Sequence, residues 1–509
     1  MKKILSLISI LFLLCGIYTQ QAFAENLRNQ FLANKSVIYA INIRSFNSFD
    51  ENKNGIIDLE KGEKQGTFLN ATERLNELKE KGINTIHVLP VTKVGKKNAQ
   101  GTAGSLYAMA SLTEFDRLLD EHLNNLSVEE EAKIFIQECH KLGISVIFDM
   151  PACGSYDLFD TNPELFEKNT DGTPISPLDW TDVVLFKSFD DNGNLYMPVY
   201  EAYKSYVDLL LSLGVDGIRA DVATCKPYEF WKKLIDHTRG QNPDFLFLAE
   251  ASEEWCDPID KAAVFTPYNK LLEAGFDGYL GSFFNLKKFK SFDLPQYMDN
   301  TLKTLKKYKT KKAVIGGFAT HDEKSPLLNG GENFAKQILW LNATLPVNPY
   351  FLDGFYVNDR YVYSYLNKNA AETFTDCTKY FVRQGQIDIF NLATKPHGTE
   401  KNFPQEFKDA LDFRKKNIDT ITQGEFIPLA VSNNSVFAYA IKTDEKAFLV
   451  TASKDPRYSQ NFDINLKTLR KFKTIHSEMT KKLFPKIEKN IAKMTLAPLE
   501  IKVFEFTAN

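Results

Sequence analysis

The chain has 509 residues, of which 43% are hydrophobic and 25% charged, and a formal net charge of −3. This is ordinary globular composition with enough material for several domains and a large core. A chain so near neutrality offers no electrostatic case for nucleic acid. Its six cysteines are scattered with no CxxC pair, and its seven histidines show no HxxxH spacing. A disulfide scaffold and a zinc site are therefore not indicated.

Lys2 and Lys3 precede the apolar run "ILSLISILFLLCGIY", and "AFA" closes at Ala24. Basic, apolar and small residues in that order predict a cleavable signal peptide over residues 1–24 and a secreted or periplasmic protein. The run is short for a membrane helix. Leu14 before Cys15 favours a released chain over a lipid-anchored one. No later stretch is long and apolar enough to span a membrane, so the mature chain is expected to have no span.

Next comes "SVIYAINI" (Ser36–Ile43), a β-branched apolar run that predicts a strand. It leads into "DENKNGIIDLE" (Asp50–Glu60), with oxygen side chains at alternate positions ahead of a glycine, as in a calcium loop. An EF-hand is excluded: a strand precedes the loop, and its twelfth position is Lys61. From Ala71 onward, helical stretches with glycine stops alternate with apolar runs. Strands are predicted at 83–91, 144–150, 215–222, 244–251, 276–284, 312–320 and 344–354. Eight strands separated mostly by helices predict a closed (β/α)8 TIM barrel. A polar, weakly periodic span, residues 155–197, reads as an excursion after the third strand. The barrel, with this excursion, is expected to run from 30 to 405. From 406 to 509, "SVFAYAI", "KAFLVTA" and "EIKVFEF" alternate without helices, which predicts a C-terminal antiparallel β-sandwich domain.

Four predicted strand ends carry acids: Asp149 in "VIFDMP", Asp221 in "GIRADVA", Glu250 in "FLAEAS" and Asp322 in "FATHDEKS". Active groups of such barrels sit at the C-terminal ends of strands. One acid there can be a helix cap; four at equivalent places, with Arg219 and His321 beside two of them, point to chemistry. Paired carboxylates suit glycosidic cleavage, one attacking the sugar carbon while the other protonates the leaving oxygen. Arg219, two residues before Asp221, is expected to share its face and hold it ionised. Glu250 is the expected acid.

These motifs resemble glycoside hydrolase family 13, the α-amylase family, as do "INTIHVLPV", "GSLYAMAS", "HKLGISVIFDMP" and "TLPVNPYFLDG". The resemblance runs from about Val37 to the C-terminal strands. It implies a retaining hydrolase acting on α-glucans or maltooligosaccharides, with Asp221 as nucleophile, Glu250 as acid/base and Asp322 stabilising the transition state. By the same resemblance, His321, Arg219, Asp149 and Tyr107 meet the sugar, while Trp255 lines the leaving-group side or packs in the core. The calcium loop resembles one found after the first barrel strand in some relatives. That implies a structural Ca²⁺ on Asp50, Asn52, Asn54, the Ile56 carbonyl and Asp58; a turn capped by its own side chains is the alternative.

The chain departs from the family pattern in two places. Cys153 and Gly154 stand where Asn and His are usual, and Thr224-Cys225 where Lys-His is frequent. Cys153 and Cys225, on adjacent strand ends, are either a candidate bridge or two buried thiols. The continuation "CKPYEFW", with Lys226 and Pro227, is similar to maltosyl-transferring members, which implies a substrate contact for Lys226 and makes an α-glucan transglycosylase the second reading. A catalytically inactive sugar-binding barrel is the third. The sequence leaves linkage preference, endo or exo action and oligomeric state open.

Overall fold

The computed structural model describes residues 26–508, apart from 56, 102, 123–124, 178–179, 362–388, 399–400 and 478–483. The expected signal peptide and Ile56 lie outside the described residues, as do Cys15 and Cys377. No helix among the described residues is long and apolar enough to cross a membrane.

All eight predicted barrel strands form: β1 (Ile38–Ile41), β2 (Thr85–Val88), β3 (Ser145–Met150), β4 (Gly217–Ala220), β5 (Leu246–Ala249), β6 (Gly278–Tyr279), β7 (Ala313–Gly316) and β8 (Asn348–Leu352). Each pairs in parallel with the next, and β8 returns to β1 to close the barrel. Side-chain alternation sorts the strands' two faces. Ile38 and Ala40 of β1 join Ile147, Leu248 and Ile315 inside the barrel. Tyr39 and Ile41 join the larger cluster under the helices.

Local sequence starts and stops the helices. Ser127 and Glu130 form a reciprocal capping box at the head of Val128–Lys141. Helix Met197–Leu213 stops at Gly214, whose φ of 90° a side-chain-bearing residue rarely adopts. The excursion after β3 includes a short antiparallel contact, Gly154–Ser155 with Val183–Val184, and helix Tyr156–Thr161. The expected boundary at 405–406 falls inside helix Phe403–Lys416, which packs on helix Pro326–Thr344 of the barrel. The buried Arg414 of that helix donates to the carbonyls of Asn34, Asn342, Ala343, Leu345 and Val347, tying together three parts of the chain.

The antiparallel sheets begin at Glu425, with β9 (Glu425–Leu429), β10 (Val436–Lys442), β11 (Lys446–Ser453), β12 (Gln460–Asn465), β13 (Phe472–Ser477), β14 (Ile487–Glu488), β15 (Ile491–Leu496) and β16 (Ile501–Ala508). A five-stranded sheet, β9-β10-β11-β16-β13, and a three-stranded sheet, β12-β15-β14, share an apolar cluster that includes Leu449, Phe462, Ile464 and Phe504. The five-stranded sheet meets the barrel through Phe448 against Phe413, and through Tyr439 hydrogen-bonded to Thr344 at 2.7 Å.

Candidate active site

The strand register brings the predicted acids together. Asp149 of β3 stands opposite Arg219 of β4, and Ala220 opposite Ala249 of β5. Asp221 and Glu250 are therefore the first residues past two adjacent strand ends. Arg219 Nη1 donates to both oxygens of Asp149, at 2.9 and 2.8 Å, and to Asp221 Oδ1 at 3.2 Å. Its Nη2 lies 2.8 Å from Glu250 Oε1. One guanidinium thus joins three carboxylates on three strand ends.

Backbone N–H groups complete the fixation. Ala152 donates to Asp221 Oδ2 at 3.0 Å, and Val222 to Glu250 Oε2 at 2.8 Å. Val222 does so from left-handed backbone, φ 34° and ψ 53°, which a β-branched residue rarely adopts. The local strain turns its N–H onto Glu250.

A second set surrounds the residues expected to meet the sugar. Tyr107 donates to Asp149 Oδ2 at 2.9 Å, and its oxygen lies 2.8 Å from His321 Nε2. The hydroxyl proton is committed to Asp149, so His321 Nε2 carries the hydrogen that it shares with Tyr107. The two rings stack, 5.5 Å apart and 6° from parallel. Below them, His87 Nε2 lies 3.2 Å from Asp149 and Nδ1 3.0 Å from the Tyr350 hydroxyl.

The electrostatics correct one expectation. Burial pushes Asp149 up, but Arg219 and His87 outweigh it and hold the carboxyl down at about 2. Asp221 is pushed well above the usual carboxylate range, by burial first and by the charge of Glu250 next. Arg219 does pull Asp221 down, as expected, but its charge is shared with Asp149 and Glu250, and the pull is outweighed. Asp322 rises to about 8, through burial and then Glu250. Burial and Arg219 lower His321 to about 3, so its imidazole is neutral. The cluster holds a proton at neutral pH that the free carboxyls would not.

These groups open onto a cavity of about 490 Å³, lined by Tyr107, Asp221, Glu250, His321 and Asp322 among others. Trp255 lines it too. Lys226 does not: its amine donates to the Ala152 carbonyl at 2.7 Å, buried between Phe186 and Tyr203, each 5.2 Å away. The substrate contact expected for it is replaced by a brace under the β3 end.

Cys153 and Cys225 are free and buried in one apolar cluster, so the candidate bridge is not formed. Packing explains the glycine at the family's histidine position: a Cβ on Gly154 would come within 2.7 Å of the Phe166 ring.

In the DENKNGIIDLE loop, Asp50 accepts from the N–H groups of Lys53 and Gly55, both at 2.7 Å, and Asn52 from Asn54 at 2.9 Å. Asp58 pairs with Lys61 at 2.6 Å. Buried Glu63, absent from the sequence expectation, caps the N–H groups of Asn52 and Asp58. Among the described residues, no three His, Cys, Asp or Glu side chains cluster so as to hold a metal.

Several residues of the site are not evident from the sequence motifs. His87 was visible as a polar residue inside an apolar strand. Trp180 and Asp182 reach the cavity from the excursion, where no periodicity marks them. Glu253 accepts from Tyr279, Ser282 and Tyr297 and anchors the loop that carries Trp255.

No family model matches the chain. Its fold is that of the α-amylase family, glycoside hydrolase family 13: a noncanonic maltogenic α-amylase from Thermotoga neapolitana superposes with a TM-score of 0.69 at 19% identity, covering 94% of this chain and all of that one. An α-amylase from Lactobacillus plantarum gives 0.69 at 17%, with the same coverage. In sequence, the chain is similar to α-1,4-glucan:maltose-1-phosphate maltosyltransferases. That of Arcanobacterium haemolyticum is 28% identical over 211 residues, 38% of this chain and 30% of the relative. That of Cereibacter sphaeroides is 22% identical over 438 residues, 79% and 65%. The chain thus spans about a third of the first of these relatives and about two thirds of the second.

Proposed function

We propose that the protein is a secreted, retaining α-glycoside hydrolase acting on α-glucans or maltooligosaccharides. The observation that carries this reading is Arg219 holding Asp149, Asp221 and Glu250 on adjacent strand ends, at the floor of a cavity that Asp322 also lines. In the first step the proton held by the cluster lies on Glu250, which leaves Asp221 as the carboxylate whose oxygen bonds to the anomeric carbon. The bond to the leaving oxygen breaks, and Glu250 gives that oxygen its proton. In the second, Glu250 takes a proton from water, whose oxygen displaces Asp221. Asp322, beside the sugar, stabilises each transition state through hydrogen bonds to the ring hydroxyls, which strengthen as the bond breaks. Neutral His321 and Tyr107 offer hydroxyl contacts and a flat surface.

Transfer to a second sugar in place of water is the second reading, favoured by the maltosyltransferase relatives. Early products from maltoheptaose separate the two. Chains longer than seven glucoses mean transfer; shorter ones alone mean hydrolysis.

The loop at Asp50, Asn52, Asn54 and Asp58 presents hard oxygen donors that suit Ca²⁺. Asp50 is already oriented by two N–H groups, and Asp58 need only leave the exposed Lys61, a surface pair worth little. We assign the loop a structural Ca²⁺, with the carbonyl of Ile56 completing the set. A melting temperature that chelator leaves unchanged would remove this assignment.

A further inference from the structure

We infer that the cavity takes an uncharged α-glucoside as donor and rejects a phosphorylated one, unlike the maltose-1-phosphate for which the sequence relatives are named. The inference rests on the glycoside reading of this site and narrows its substrate class.

The cavity wall carries five carboxyl side chains, Asp182, Asp221, Glu250, Asp257 and Asp322, and no Lys or Arg among the described residues that line it. A phosphate monoester dianion needs cationic or N–H donors around its oxygens. Here the cation and the backbone donors nearest the reacting carboxyls are committed. Both terminal nitrogens of Arg219 are held by Asp149, Asp221 and Glu250. The N–H groups at the floor, of Ala152 and Val222, face Asp221 and Glu250. The lysine nearest in sequence, Lys226, is buried with its amine on the Ala152 carbonyl.

Hydrogen-bond complementarity runs the same way. Sugar hydroxyls both donate and accept, and so suit carboxyl groups in either protonation state, whereas phosphate oxygens face the ionised ones acceptor to acceptor. Part of the remaining wall, formed by Trp180, Val183, Val222 and Ile259, is apolar and suits the face of a neutral ring.

The test is equilibrium titration of the Glu250→Gln protein with maltotriose and with α-maltose 1-phosphate. Wild type is assayed in parallel for reducing ends and for inorganic phosphate. Maltotriose is expected to bind at least about 100-fold more tightly, like charge facing like charge being costly in a part-enclosed site. No phosphate should be released. Comparable affinities, or phosphate release by wild type, overturn the inference. Failure of maltotriose to bind or be cleaved overturns the glycoside reading itself, which phosphate binding alone does not. Asp257 is exposed at the cavity mouth, so Asp257→Lys tests the charge basis in a chain that folds. It should tighten maltose 1-phosphate at least about fivefold at low salt, and 0.5 M salt should erase the gain. An unchanged affinity also overturns the inference.

Discussion

Arg219 gives Nη1 to both oxygens of Asp149, at 2.9 and 2.8 Å, closer than the same nitrogen approaches any other carboxylate. The strongest partner of the guanidinium that lies beneath the cavity is therefore Asp149, not the proposed nucleophile. The charge of Asp149 also raises Asp221 and Asp322. Asp149→Asn should lower both acids and move the acid limb of the pH–rate profile to lower pH, by about half a unit to one unit. Loss of the anchor should also cut kcat by about 10- to 100-fold, as removal of a positioning group does. A limb that stays in place while kcat falls would mean that Asp149 acts through shape alone.

Asp221→Asn and Glu250→Gln should each reduce release of reducing ends from maltooligosaccharide by about four orders of magnitude or more, since each removes a bond-making group. The double variant should be little worse than either single one, because the two act in one step. Near-wild-type rates in either variant would move the chemistry elsewhere.

Asp322 links the site to stability. Its pKa rises from the ordinary 3.8 to about 8 in the folded chain. Between those values the folded protein keeps a proton that the unfolded chain has released, so stability falls as pH climbs through that window. Asp322→Asn removes the effect. It should raise the melting temperature by a few degrees near pH 8, with a gain that shrinks to nothing near pH 4. Activity should be lost at both. An equal gain at pH 4 and pH 8 would show that titration of Asp322 is not the cause.

Lys226 separates a brace from a substrate contact. Lys226→Met keeps the bulk between Phe186 and Tyr203 but removes one of the two donors on the Ala152 carbonyl, leaving the Tyr203 hydroxyl, and should cost about 1 kcal/mol of stability. KM for maltooligosaccharide should stay within about twofold, since the side chain does not reach the cavity. A tenfold rise in KM with unchanged stability would restore the role that the motif implied.

The sequence by itself determined the eight strands, their helices and the acids at their ends. Each is a local pattern: an apolar period, a cap, a carboxyl where an apolar run stops. "GIRADVA" and "FLAEAS" carry their chemistry in neighbouring letters, and so were legible. What only the tertiary structure decided is how charge and space are shared across distant letters. Asp149 and Arg219 are 70 residues apart in sequence, and Tyr107 and His321 are 214 apart. Burial and competing carboxylates therefore set the pKa of Asp221, where its sequence neighbour alone suggested the opposite direction. The same holds for Lys226, which the motif aims at substrate and which packing turns away. It holds too for Gly154, required by the ring of Phe166 twelve residues on. Barrel closure brings such groups within hydrogen-bond reach, and the energies that decide their roles act only at that range.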